Sequence, residues 1–192
     1  MATTKTDALH FSGDAEADRL IARDPLALLV GFVLDQQVPL QKAFVGPLEL
    51  QRRLGALDAA AIARMDPADL ERVFRARPAI HRFPGSMAAR VQDLCAVVAD
   101  EYGGRAERIW TEAESGADLR RRLLALPGIG PMKAKVLVAV LAKRLGVRPP
   151  GWEDVAPDHP TLGDVDSYER LQAYQEKKRA YKAALRAGKA AP

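Results

Sequence analysis

A chain of 192 residues, 48% hydrophobic and 28% charged, can bury one core or two small lobes sharing one, and no apolar run approaches the ~18 residues of a membrane span. Cys95 is the single cysteine and His10, His81 and His159 are scattered, which excludes an intramolecular disulfide and any four-cysteine zinc or iron–sulfur site. The net charge of +4 is uneven: residues 167–192 hold seven basic and two acidic side chains, a balance of +5, and the rest holds 22 basic and 23 acidic, a balance of −1. Affinity for nucleic acid in the body of the chain must therefore come from a local patch and backbone amides.

In chain order, almost every segment reads as helix. Asp24-Pro25 supplies a cap and a first-turn proline for an apolar run from Leu26 to Leu34, and apolar residues on all sides predict a central buried helix. Pro39 opens a second helix to about Leu54, stopped by Gly55. Short helices are expected over Asp58–Met65 and Pro67–Ala76. A longer one is expected over Ser86–Tyr102, with a stripe of Met87, Val91, Leu94, Cys95 and Val98 and a stop at Gly103-Gly104. Glu107–Glu112, Ala117–Ala125 and Pro131–Leu145 follow. No segment alternates with a strand period, so the fold class is all-α.

Between the last two of these helices stands Leu126-Pro127-Gly128-Ile129-Gly130-Pro131-Met132-Lys133-Ala134. Gly128 and Gly130, flanking Ile129, permit a hairpin too tight for side chains and let amides at the start of the next helix approach an anion. Pro131 suits a first turn, and Ile129 can plug the gap between the helices. Residues 148–166 then form a proline- and glycine-containing loop that gathers Glu153, Asp154, Asp158, Asp164 and Asp166. A basic helix from Tyr168 to about Ala187 ends the chain.

The buried helix ending in Asp35-Gln36-Gln37-Val38, the Ser86-Met87-Ala88-Ala89-Arg90 helix, the Leu-Pro-Gly-Ile-Gly-Pro hairpin and the aspartate-bearing loop together resemble the helix-hairpin-helix DNA glycosylases of base excision repair. This is the superfamily of endonuclease III and the 3-methyladenine glycosylases, and the likeness is to a small bacterial branch of it over about Asp24 to Leu162. The resemblance implies a two-lobed HhH-GPD fold. Residues 24–145 would form a core that includes the hairpin segment 117–145. Residues 1–23 and 146–192 would form a second lobe, with the acidic loop 148–166 and the basic helix 167–187. It also implies a cytoplasmic, nucleoid-associated monomer without cofactor that acts on double-stranded DNA carrying a damaged base.

The resemblance further implies roles for particular residues. Gly128, Ile129, Gly130, Met132 and Lys133 would meet the DNA backbone, and Gln36 or Gln37 would fill the gap left by an extruded nucleotide. Met132 occupies the position of the lysine that cleaves the strand in bifunctional members, so an AP-lyase step there is not expected. Lys133, about 100° further round the helix, is expected on a solvated face or against phosphate, as is Lys135. The catalytic aspartate corresponds to Asp158, in Val155-Ala156-Pro157-Asp158-His159, with Asp154 as the alternative. Trp152 and His159 are candidates for the base pocket, and Tyr102, Phe32, Phe44, Trp110 and Phe83 are further aromatics that could stack there or serve as core. The carbonyls of Leu124, Leu126 and Ile129 match a monovalent-ion position, and Asp35 is an unusual acid for a DNA-facing corner. A non-catalytic DNA-damage binder, and an interaction module docking through the basic helix, are the competing readings.

Overall fold

The computed structural model describes residues 6–189. Among these residues the chain forms eleven α-helices and a 3-10 turn, with no strand, as the all-α reading requires. No helix among them is long and apolar enough to cross a membrane.

The centre of the molecule is α2 (Pro25–Leu34), whose residues from Leu26 to Leu34 are all buried. Asp24 starts it by accepting the amides of Leu26 and Ala27 at 2.9 and 3.2 Å, and Pro25 fills the first turn. Three helices pack around it: α1 (Ala15–Arg23), α3 (Leu40–Leu54) and, further along the chain, α6 (Pro84–Tyr102). Small residues set how closely α3 approaches. A Cβ on Gly46 would stand 2.4 Å from Leu34 Cδ1, and one on Gly31 would stand 2.6 Å from the Phe44 ring. Phe44 is itself flanked edge-on by Phe11 and Phe32, with ring centroids 5.1 and 5.3 Å away.

Helix α1 carries no clear pattern in the sequence. Its sequence is short and its stripe narrow, but Asp14 caps it through the amides of Glu16 and Ala17. The buried Asp18 carboxylate holds the preceding turn by accepting the amides of Phe11 and Ser12 and the Ser12 hydroxyl. The small helices α4 (Ala59–Arg64) and α5 (Pro67–Arg75) pack against α6, capped by Asp58 and Asp66. After α7 (Arg108–Thr111), helices α8 (Gly116–Leu124) and α9 (Pro131–Arg144) form the antiparallel pair joined by the glycine hairpin. The loop beyond α9 contains a further short helix, α10 (Trp152–Val155), and a 3-10 turn over Leu162–Asp164. Helix α11 (Tyr168–Lys189) ends the described chain. One buried cluster runs from Leu9 to Leu171 and draws on nearly every helix.

The 148–166 loop is fastened to the α8–α9 pair at two places where only glycine fits. Gly163 lies against the Ala139 backbone, with a virtual Cβ 2.7 Å from its carbonyl carbon. Gly116 donates its amide to Pro150 O at 2.8 Å, and a Cβ there would stand 2.4 Å from Gly151 O and 2.6 Å from Trp152 Cα. These neighbours are backbone and cannot rotate away. Gly116→Ala is therefore expected to cost about 1–3 kcal/mol or more in overpacking. In a chain of this size each kcal/mol corresponds to a fall of roughly 2–4 °C in melting temperature. A thermal melt checks it, and an unchanged midpoint would mean that this fastening does not hold the loop.

Candidate nucleic-acid interface

The hairpin is built as its spacing predicts. Gly128 takes φ +81, and its missing side chain lets the turn sit on the end of α2, since a Cβ would lie 3.2 Å from both methyl carbons of Val33. Ile129 is buried between the helices and its amide donates to Leu126 O at 3.2 Å. That carbonyl, one of the three named for a monovalent ion, thus already serves the turn. Gly130 is the N-cap of α9, with ordinary extended geometry (φ −84, ψ 178) and no atom within 4 Å of a virtual Cβ. Pro131 has no N–H to lose, and no side chain caps the first turn of α9. Side chains do cap α1, α2, α4, α5 and α8. The start of α9 therefore offers backbone amides outward, beside the 64%-exposed Met132.

Of the two places expected for Lys133, the solvated face is not the one it takes: it is half-buried and turns back across the hairpin, its ammonium 3.5 Å from Gly128 O. Burial and the Arg90 guanidinium pull its pKa down to about 8, and the Asp35 carboxylate opposes them. Two residues on, and about 200° round α9, Lys135 exerts its field on Asp158.

The corner after α2 is stiffly made. The Gln36 side-chain amide donates to Val33 O at 3.0 Å and its oxygen accepts from Arg90 of α6. Its backbone carbonyl accepts from His81 Nε2 at 2.9 Å, while His81 Nδ1 accepts the Phe83 amide at 3.0 Å. The proton is therefore on Nε2, and burial lowers the pKa of this histidine, which keeps the neutral form in place. Gln37 is the opposite case: exposed, at φ +54, the one non-glycine residue with positive φ among the described residues. Of the two glutamines, Gln36 holds the corner and Gln37 projects from it.

Beside this corner lies α11. Leu171 is buried, Tyr174 is packed against the core, and Gln175 exchanges amide hydrogen bonds with Gln41 of α3 at 3.1 and 3.2 Å. From Glu176 to Gly188 every residue is exposed. The ammonium of Lys178 lies 5.7 Å from the centre of the Tyr174 ring, and Lys178 and Lys182 both act electrostatically on Asp35. The docked first half of α11 thus directs the exposed stretch beyond it so that Lys178 and Lys182 act on Asp35.

Trp152 and Asp154 of the 148–166 loop lie elsewhere. Trp152 is half-buried against the core beside Gly116, at the end of α8 opposite the hairpin, and Asp154 is exposed in the same short helix. With nine residues in α8, that end is about 13 Å from the turn. The Asp158 side chain is fully exposed and paired with His159 Nδ1 at 3.2 Å, which lowers its pKa. Asp164 is held by Lys143 at 2.6 Å. Phe32, Phe44, Tyr102 and Trp110 are core, and Phe83 is partly exposed under the Arg82 guanidinium. Two concavities of about 270 and 280 Å³ lie away from the hairpin, one between Asp24, Asp58 and Glu107, the other between Lys42, Glu49 and Pro78. Cys95 is buried in α6, where desolvation pushes its thiol up to about 12. Among the described residues no group of three or more His, Cys, Asp or Glu side chains could hold a metal ion.

No sequence pattern marks Gln36, Arg90 and His81 as a hydrogen-bonded corner. The one signal beside it is the acid at Asp35, between an apolar helix and two glutamines. The chain matches no protein-family model and no curated protein.

Proposed function

We propose that the protein is a monofunctional DNA glycosylase, with a helix-hairpin-helix of the HhH-GPD type that grips one strand of a duplex carrying a damaged base. The observation that carries this reading is the junction of three features at one place. These are the uncapped, glycine-opened start of α9, the projecting Gln37 on its rigid corner, and the cations Lys133, Lys178 and Lys182. Phosphate would be held by amides and ammonium groups. Gln37, with a side chain that both donates and accepts, would occupy the space of an extruded nucleotide, and Gln36 would keep the corner from yielding. Met132 in place of an amine leaves hydrolysis, not strand cleavage, as the chemistry.

The test uses duplexes each carrying one alkylated, deaminated or oxidised base, followed by alkali to cut any abasic site formed. Cleavage after alkali, with none before it, is the expected result. A second reading, a DNA-damage binder without catalysis on the same fold, is favoured by the full exposure of Asp158. It would give binding without base release. In either case log affinity should fall linearly with log salt, by about 0.9 for each phosphate engaged. A flat salt response would set both readings aside.

A further inference from the structure

Asp35 is a costly residue with no structural return. It closes α2 at its C-terminal end, where the negative pole of the helix opposes a carboxylate. It is half-buried, and burial raises its pKa more than all three neighbouring lysines lower it. Among the described residues its side chain accepts no hydrogen bond and enters no ion pair; Lys133, Lys178 and Lys182 act on it only at a distance. Other buried or capping acids of the chain repay their place. Asp18 accepts three hydrogen bonds, and Asp24, Asp58 and Asp66 start helices. Asp35 does neither, and it stands two residues from Val33, on which the hairpin glycine rests.

We infer that Asp35 is the carboxylate that faces the sugar of the extruded nucleotide, and that Lys133, Lys178 and Lys182 are the cations that move from it to phosphate when DNA binds. The inference rests on the glycosylase reading and names its catalytic group. In the free protein the three ammonium groups offset the charge of Asp35. A bound duplex offers them phosphates, and the carboxylate is then left to face a sugar in a site the DNA has closed to water. As the C1′–N bond breaks, its electron pair leaves with the base and positive charge develops on the sugar ring, which Asp35 stabilises. A water oxygen then bonds to C1′. The proton it gives up passes to the carboxylate and on to the departing base nitrogen, so the carboxylate is regenerated. Asp158, by contrast, is fully exposed and paired with His159.

The test needs no knowledge of the lesion. Two duplexes are compared, identical except for one abasic analogue, a neutral tetrahydrofuran in one and a cationic pyrrolidine in the other. The wild-type protein is expected to prefer the cationic analogue by about tenfold or more, as binding of a charge mimic of the transition state requires. Asp35→Asn should bring the preference near one, and Asp158→Asn should keep it. Asp35→Glu should retain part of it. Because the fold disfavours the ionised form of Asp35, Asp35→Asn should melt at the same temperature as wild type or a few degrees higher (about 2–4 °C for each kcal/mol relieved). That control separates lost function from lost folding. If wild type binds both analogues equally, or if Asp35→Asn keeps the preference, Asp35 is not the group and the hairpin reading stands. If wild type binds neither duplex, both fall.

Discussion

Gly130→Ser is expected to leave the melting temperature unchanged or slightly raised while weakening DNA binding by roughly 10–100-fold. The two effects separate because the protein itself gives Gly130 no reason to be glycine. Its φ of −84 and ψ of 178 suit any N-cap residue, and nothing lies within 4 Å of a virtual Cβ. Serine is a better cap than glycine, and its hydroxyl would accept from the first-turn amides of α9. Those are the amides offered to phosphate, so the hydroxyl would both fill the approach and satisfy the donors. Loss of charge-assisted hydrogen bonds worth about 1.5–3 kcal/mol gives the stated loss of affinity. Gly128→Ser should behave the other way. Its φ of +81 costs an L-residue about 1–2 kcal/mol, and its Cβ would press on Val33 at 3.2 Å, so melting should fall first. Fluorescence anisotropy with a labelled duplex, alongside thermal melts, checks the pair. If Gly130→Ser binds as wild type does, α9 does not present its amides to phosphate.

The contrast between these two glycines marks how far the sequence could be read. Where a local signal settles a structure, the element is legible in the chain. Asp24-Pro25 before an unbroken apolar run could only be a capped, buried helix, and Gly55 and Gly103 stop helices at φ +85 and +61. The hairpin belongs here too, because backbone sterics tie its conformation to its glycines. Where a side chain's surroundings come from distant elements, the local pattern carries no signal of them. The burial of Lys133 is not legible because a helical wheel shows direction and not what stands opposite; that burial lowers its pKa most, with Asp35 and Arg90 acting in opposite senses beside it. Asp158 stands out by its neighbours in the chain, which carry no signal of its full exposure or its pairing with His159. Helix α1 escaped because its start depends on Asp14 and its approach on the buried Asp18, which is polar where a pattern calls for apolar.

DNA affinity should fall as pH rises through about 8, more than two units below the range where ordinary lysines lose their charge. Lys133 carries the argument: burial and Arg90 hold its pKa at about 8, so half of its ammonium is gone there in the free protein. If that ammonium meets phosphate, the bound state favours the proton, and binding takes one up across this window. Affinity is then full below pH 8 and declines by up to about tenfold per unit above it, until the pKa of the bound form is reached. Stability must move in the opposite direction. A lysine whose pKa is lowered by folding binds its proton more weakly than the unfolded chain does, so the fold gains stability between about 8 and 10.5 as pH rises. Weaker binding at pH 9 from a protein that melts no lower cannot be attributed to alkaline unfolding. Lys133→Arg should abolish the decline, because a guanidinium stays charged throughout. Lys133→Gln should bind weakly at all pH values, with little further loss above 8. Asp35→Asn removes the one neighbour that holds the Lys133 pKa up, so in that variant the decline should begin at lower pH. Anisotropy titrations from pH 6.5 to 9.5 at constant salt read all four curves, and a wild-type curve flat across pH 8 would remove Lys133 from the interface.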